Sequence, residues 1–201
     1  MNNENNLNVV ALVGPIAAGK GTVAKIFIEN GYVAFNYGDE IYKERTRRGL
    51  KEERKNSHAV ALLLREEFGN EIIAIRLAEV INQYDWQKKE RKILIDGLRH
   101  PDEVKWVKKN LMAKVLGVTA ALEIRYQRAL KRNAIVDPKS PEGFYEIDGE
   151  DRGIDPGLHG NHTDGCIQIA DIVIENNGED IEEYKNTFYE SCSKIGVDIK
   201  I

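Results

Sequence analysis

The stretch that decides the fold runs Val9-Val10-Ala11-Leu12-Val13-Gly14-Pro15-Ile16-Ala17-Ala18-Gly19-Lys20-Gly21-Thr22. Five apolar residues read as a buried strand, and the glycines that follow permit a tight turn into a helix. Successive backbone N–H groups at such a turn point into one concavity, which suits phosphate oxygens. Lys20 is placed to reach the outer phosphates of a triphosphate, and Gly19 and Gly21 let the backbone come close to them. A strand, turn and helix without a ligand is the plainer alternative. The lysine, the Gly-Thr after it and the strand-before, helix-after context favour a phosphate loop made of Gly14, Ala17, Ala18, Gly19, Lys20, Gly21 and Thr22. The usual metal-holding Ser or Thr directly after the lysine is Gly21 here, with Thr22 one step later, so Thr22 is expected on phosphate rather than on metal.

A chain of 201 residues suits one α/β domain with a sizeable core. Its 33 acidic and 29 basic residues leave a net charge of −4, which offers no global attraction to nucleic acid or an acidic membrane. The polar start from Met1 to Asn8 lacks the basic and apolar regions of a signal peptide, and no apolar run reaches membrane-spanning length. A frayed N-terminus and a soluble cytoplasmic protein are expected. Cys166 and Cys192 are too few for a disulfide framework and are expected as reduced thiols.

Strand patterns at Asn8–Val13, Tyr32–Phe35, Lys92–Ile95, Lys114–Thr119 and Asp171–Ile174 alternate with helical ones, which predicts a parallel five-stranded sheet in an α/β fold. The helix from Lys20 to Asn30 turns Val23, Ile26 and Phe27 to one face and stops at Gly31. The last helix, Ile181 to Lys194, sets Ile181, Tyr184, Phe188 and Cys192 in one stripe. Two stretches fall outside the alternation. Residues 39–87 read as a helical insertion, and residues 133–165 show no clean period and read as a long mobile lid. No oligomer is indicated, since apolar helix faces serve core and interface alike.

Asp96 follows Ile93-Leu94-Ile95 at the carboxyl end of a buried strand, where α/β sheets bind ligands. A carboxylate there suits magnesium or its water beside phosphates, or caps the next turn. Arg99 is close enough to reach the same pocket, and His100-Pro101-Asp102-Glu103 reads as a helix start. Asp39, after the second strand, either bonds a substrate hydroxyl or caps a helix. Arg125, Arg128 and Arg132 share a helical face just before the lid and Arg152 lies inside it; they read as cations for a transferring phosphoryl group or as an ordinary basic surface. His159, His162 and Cys166 match no zinc spacing, and Tyr42, Trp86 and Trp106 read as packing residues.

These motifs resemble the P-loop nucleoside monophosphate kinases and the related dephospho-CoA kinases over nearly the whole chain. The loop with Gly-Thr after its lysine is similar to the adenylate-kinase form, Gly38-Asp39 to the start of the monophosphate-binding helices, and Asp96-Gly97 with Arg99 to an Asp-Gly motif followed by a substrate arginine. Leu64-Arg65-Glu66-Glu67-Phe68-Gly69 with Arg76 looks like an archaeal subgroup of these kinases. Gly165-Cys166-Ile167 to Ala170-Asp171 resembles the P-loop half of some dCMP-deaminase-like proteins, but the deaminase zinc motif is missing. The resemblance implies a three-layer P-loop fold and ATP with magnesium near Asp96. It also implies base contacts at Asn177 and Gly178, acceptor binding by Asp39, Arg65, Arg76 and Arg99, and lid arginines among Arg128, Arg132 and Arg152. The expected activity is γ-phosphoryl transfer to a nucleoside monophosphate. One departure is Tyr42, where adenylate kinases carry an arginine, with Lys43 and Arg45 nearby. Two alternatives stay open: phosphorylation of a hydroxyl with Asp39 as base, and a nucleotide sensor without turnover.

Overall fold

A computed structural model describes residues 7–87, 90–132, 140–154 and 157–200. Five strands, β1 (Leu7–Val13), β2 (Val33–Asn36), β3 (Arg91–Asp96), β4 (Lys114–Thr119) and β5 (Ile172–Glu175), form one sheet in the order β2-β3-β1-β4-β5. All neighbours are parallel, with Leu12 of β1 level with Asp96 of β3. The central strands are apolar without interruption because both faces of the sheet are covered. Val9, Ala11, Val13, Ile93 and Ile95 enter one core, while Val10, Leu12 and Leu94 enter the other. This alternation makes the fold three-layered.

Helices α1 (Lys20–Glu29) and α9 (Ile181–Lys194) cover the second face. Phe27 of α1 meets Phe188 of α9 edge to face at 5.2 Å and Tyr32 at 4.9 Å. Truncating Phe27 to alanine costs about 3–5 kcal/mol at such a site. The first face is packed by α2 (Tyr37–Arg47), α3 (Arg54–Phe68), α4 (Ile72–Gln83) and α5 (Pro101–Leu111). His100 caps α5 from Asp102 N at 3.2 Å, and Glu103 reaches back in a capping box, as the turn chemistry predicts.

The stretch 133–165 departs from the expected loop. It holds α7 (Pro141–Arg152) and the start of α8 (Thr163–Gln168), after α6 (Leu122–Arg132). Ser140 caps α7 through Gly143 N at 3.1 Å and Pro141 opens its first turn. No apolar helical period shows in this stretch because the inward residues of α7 are Phe144, Asp148 and Asp151, two of the three being carboxylates. Residues 133–139 and 155–156 of the expected lid, and residues 1–6 of the expected frayed start, lie outside the described residues.

Candidate active site

β1 ends at the switch point of the sheet, with β3 on one side and β4 on the other, so its exit loop opens into the crevice at the strand ends. The loop is held from outside. Arg125 Nη1 donates to the Ile16 carbonyl at 3.2 Å, Asn176 Nδ2 to that of Ala18 at 3.0 Å and Tyr184 OH to that of Gly19 at 3.2 Å. Two glycines are required by space as well as conformation. A Cβ on Gly14 (φ 147°) would lie 2.0 Å from the Val118 carbonyl oxygen, and one on Gly19 (φ 113°) 2.3 Å from Asn176 Nδ2. Ala17 also adopts a left-handed φ of 58°. Alternating handedness of this kind is how a backbone nest turns N–H groups to an anion, and the first N–H groups of α1 add theirs. Lys20 Nζ donates to the carbonyls of Gly14 and Pro15 at 2.7 and 2.9 Å.

Asp96 stands beside it. Its Oδ1 is buried without a hydrogen-bond partner, and burial raises the carboxyl above its usual range against the pull of Lys20 and Arg99. Arg99 is held on four sides: Nη1 donates to Asp151 Oδ2 at 2.6 Å, the guanidinium stacks 5.9 Å from the Tyr37 ring centroid, its backbone N–H donates to Glu103 Oε2 at 2.9 Å, and its carbonyl accepts from His162 N–H at 2.7 Å. The Asp151 carboxylate keeps it charged, with burial opposing.

Two cavities flank the loop. One of about 580 Å³ is lined by Gly19, Thr22, Gln127, Arg128, Asn177 and Gly178, among others. Arg128 donates to the carbonyls of Asn176 and Gly178 at 2.8 and 2.9 Å and so shapes the 176–178 turn. The other, of about 290 Å³, has Lys20, Asp96 and Arg99 at the loop end and Tyr37, Arg45, Ser57 and His58 farther out. The structure thus sets Gly19, Thr22, Asn177 and Gly178 on one cavity and Lys20, Asp96 and Arg99 on the other. Arg132, at the end of α6, bears on Lys20 electrostatically and helps lower its ammonium.

Of the expected acceptor and lid residues, Asp39, Arg65, Arg76, Arg132 and Arg152 line neither of these cavities. Arg65 is 1% exposed and spent on protein groups: Nε and Nη2 donate to Glu103 Oε1 at 3.1 and 2.9 Å, Nη2 to Tyr37 OH at 2.9 Å, and Nη1 to Asn161 Oδ1 and the His159 carbonyl, both at 3.1 Å. Arg76 faces Glu44 at 3.4 Å and stacks on Phe68. Arg152 is paired with Asp164 at 2.8 Å. Asp39 is exposed in the first turn of α2, whose cap is Asn36 through Gly38 N at 2.7 Å, so the capping role also falls elsewhere. Arg125, expected on a basic face, is 2% exposed and joined to Asp148 of α7.

The sequence names Arg45 only as a neighbour of Tyr42 and does not single out His58, Asp151 or Asn161. Asp151 follows Asp148 by three residues, a spacing that puts both on one helix face and was the available signal.

Known proteins agree with this architecture. The AAA domain family matches residues 13–142, so fold and loop define a P-loop kinase-like domain. Within that class the chain belongs to the UPF0200 family: it is 31% identical to the UPF0200 protein of Pyrococcus abyssi over 93% of this chain and 96% of that one, and 32% identical to that of Methanosarcina barkeri over 93% and 95%. Among solved structures it resembles a Thermus thermophilus protein (TM-score 0.59, 17% identity, 94% of this chain and 98% of the other). It also resembles the shikimate kinase of Acinetobacter baumannii (0.52, 18%, 94% and 96%) and a gluconokinase of Sinorhizobium meliloti (0.52, 11%, 95% and 94%). At these identities the structural likeness is one of fold. No helix among the described residues is long and apolar enough to cross a membrane.

Proposed function

We propose that the protein is an ATP- and magnesium-dependent small-molecule kinase that transfers the γ-phosphoryl group to a nucleoside monophosphate. The observation that carries this reading is the pair of guanidinium groups, Arg45 and Arg99, lining one cavity whose inner end is Lys20 and Asp96. Arg45 lies one turn beyond Tyr42 and stacks 5.1 Å from its ring centroid, so it supplies the cation that Tyr42 does not. Its Nη1 donates to Ser57 Oγ at 3.1 Å.

ATP fits with its base and sugar in the larger cavity, against the 176–178 turn, and its phosphates on the loop. The residues also fit magnesium. Asp96 Oδ1 is a buried oxygen that lacks a partner, and among the described residues there is no group of three or more His, Cys, Asp or Glu to hold a metal by protein alone. A single carboxylate with phosphates and water matches magnesium's habit. When bound, the ion would offset charge on the phosphate oxygens.

The step needs no general base. An anionic oxygen of the acceptor phosphate attacks the γ-phosphorus, the bond to the β,γ-bridging oxygen breaks, and ADP leaves with that electron pair. The protein's part is position and charge. Arg99 and Arg45 orient the acceptor, Lys20 and the loop N–H groups orient the donor, and α2 and α3 form the acceptor wall. Asp39 is exposed in the first turn of α2, next to Gly38, which lines this cavity.

The test is ADP release from ATP and magnesium with a panel of ribo- and deoxyribonucleoside monophosphates and dephospho-CoA. The reading expects turnover with one monophosphate class and its loss in Lys20→Ala. Native-rate turnover by Lys20→Ala would refute it.

A further inference from the structure

Asp151 of α7 is fully buried. Its Oδ2 accepts from Arg99 Nη1 at 2.6 Å. Its Oδ1 accepts from Asn161 Nδ2 at 3.1 Å and lies 3.1 Å from His58 Nε2. The other His58 nitrogen, Nδ1, is 3.2 Å from Glu150 Oε2 on the same helix. With one ring nitrogen beside each of two neighbouring carboxylates, His58 links α3 to α7 by two contacts. Donors on both sides fix the rotation of the Asp151 carboxylate and hence the direction in which it draws Arg99. Neither Nε nor Nη2 of Arg99 is engaged by a described residue, so that edge of the fork is left for the cavity it lines.

We propose that Asp151, oriented by His58 and Asn161, is the positioning residue that holds Arg99 as the acceptor's guanidinium ligand. The proposal rests on the kinase reading for the word acceptor; the clamp itself does not. A guanidinium with one end fixed and one edge open presents two parallel N–H donors to a phosphate without first losing rotamer freedom. Without Asp151 the side chain samples several rotamers and binds the acceptor only from some of them. The ATP site, built from the loop, Arg128 and the 176–178 turn, does not share this clamp.

Asp151→Asn keeps the shape and removes the charge. The experiment follows the Arg99 Nε–H resonance, assigned through Arg99→Lys, by ¹⁵N relaxation in the ligand-free protein, and measures KM for ATP and for the accepted monophosphate. The wild type should show a rigid Nε–H, and Asp151→Asn an order parameter below about 0.6 while sheet amides stay rigid. The acceptor KM should rise about tenfold or more, and the ATP KM should stay within about twofold. His58→Gln, which keeps one donor, should move both readouts the same way by less, and it replaces Asp151→Asn if that variant fails to fold. Unchanged Nε–H order in a folded variant, or an equal rise in both KM values, overturns the proposal. If the wild type phosphorylates no monophosphate, the kinase reading fails, and the Nε–H order still decides whether Asp151 holds Arg99.

Discussion

Lys20 folds back on the loop that carries it, its Nζ donating to the Gly14 carbonyl at 2.7 Å. Burial, then Arg99 and Arg132, bring its ammonium down to about 8, while Asp96 and Asp151 pull the other way. On the kinase reading, a triphosphate would draw this ammonium off the Gly14 and Pro15 carbonyls, and only the charged form would gain from it.

ATP affinity should therefore be level below about pH 8 and fall above it, and binding near that pH should take up a proton. For stability the sign is opposite. The unfolded chain holds this proton up to the ordinary lysine value, so folding gains stability as pH climbs from about 8 towards 10.5. Calorimetry in buffers of different ionisation enthalpy measures the proton, and Lys20→Arg should remove the break.

Asp96→Asn should separate stability from function. The buried, unpartnered Oδ1 and the burial-raised carboxyl mean that the charge is held at a cost in the ligand-free protein. The amide should leave the urea midpoint unchanged or higher, while activity falls by about 10²-fold or more, as for loss of a preorganised charge at a reacting phosphate.

The loop glycines should divide into two kinds. Gly14→Ala sets a Cβ 2.0 Å from backbone at Val118, which cannot swing aside, and should destabilise the fold by about 2 kcal/mol or more. Gly21→Ala meets nothing within 4 Å and sits in a helix, so it should be neutral or stabilising by up to about 1 kcal/mol. Urea melts with and without ATP distinguish loss of fold from loss of binding, the latter being the only deficit expected of Gly21→Ala.

Arg65 and Glu103, 1% and 0% exposed, join α3 to α5 at 2.9 Å. Breaking the pair from one side, as Arg65→Met or Glu103→Gln, should cost about 3–5 kcal/mol because the remaining group is left buried without its partner. The double variant should cost less than the sum of the two, and a double-mutant cycle in urea gives the coupling. A cost below about 1 kcal/mol would show the pair to be dispensable.

The strands were legible because a sheet covered on both faces writes uninterrupted apolar runs, as in Val9 to Val13 and Ile93 to Ile95. The loop and Asp96 were legible because motif and strand end fix their places independently of packing. The resemblance implies Arg65 as an acceptor ligand, but a buried arginine and a binding arginine look alike until Glu103, distant in sequence, is seen beside it. Helix α7 was hidden because its inward face is written in carboxylates that find Arg125 and Arg99 only in the fold. Arg45 and His58 reach the cavity of about 290 Å³ through the packing of α2 on α3, which no local pattern announces.

The most direct test of the central claim is ³¹P NMR of the complete reaction, with ATP, magnesium and each nucleoside monophosphate in turn. The account predicts that the γ-phosphorus signal declines as a nucleoside diphosphate β-phosphorus signal grows beyond that of ADP formed alone. A phosphomonoester signal with dephospho-CoA only, inorganic phosphate only, or an unchanged ATP spectrum despite binding would each contradict it.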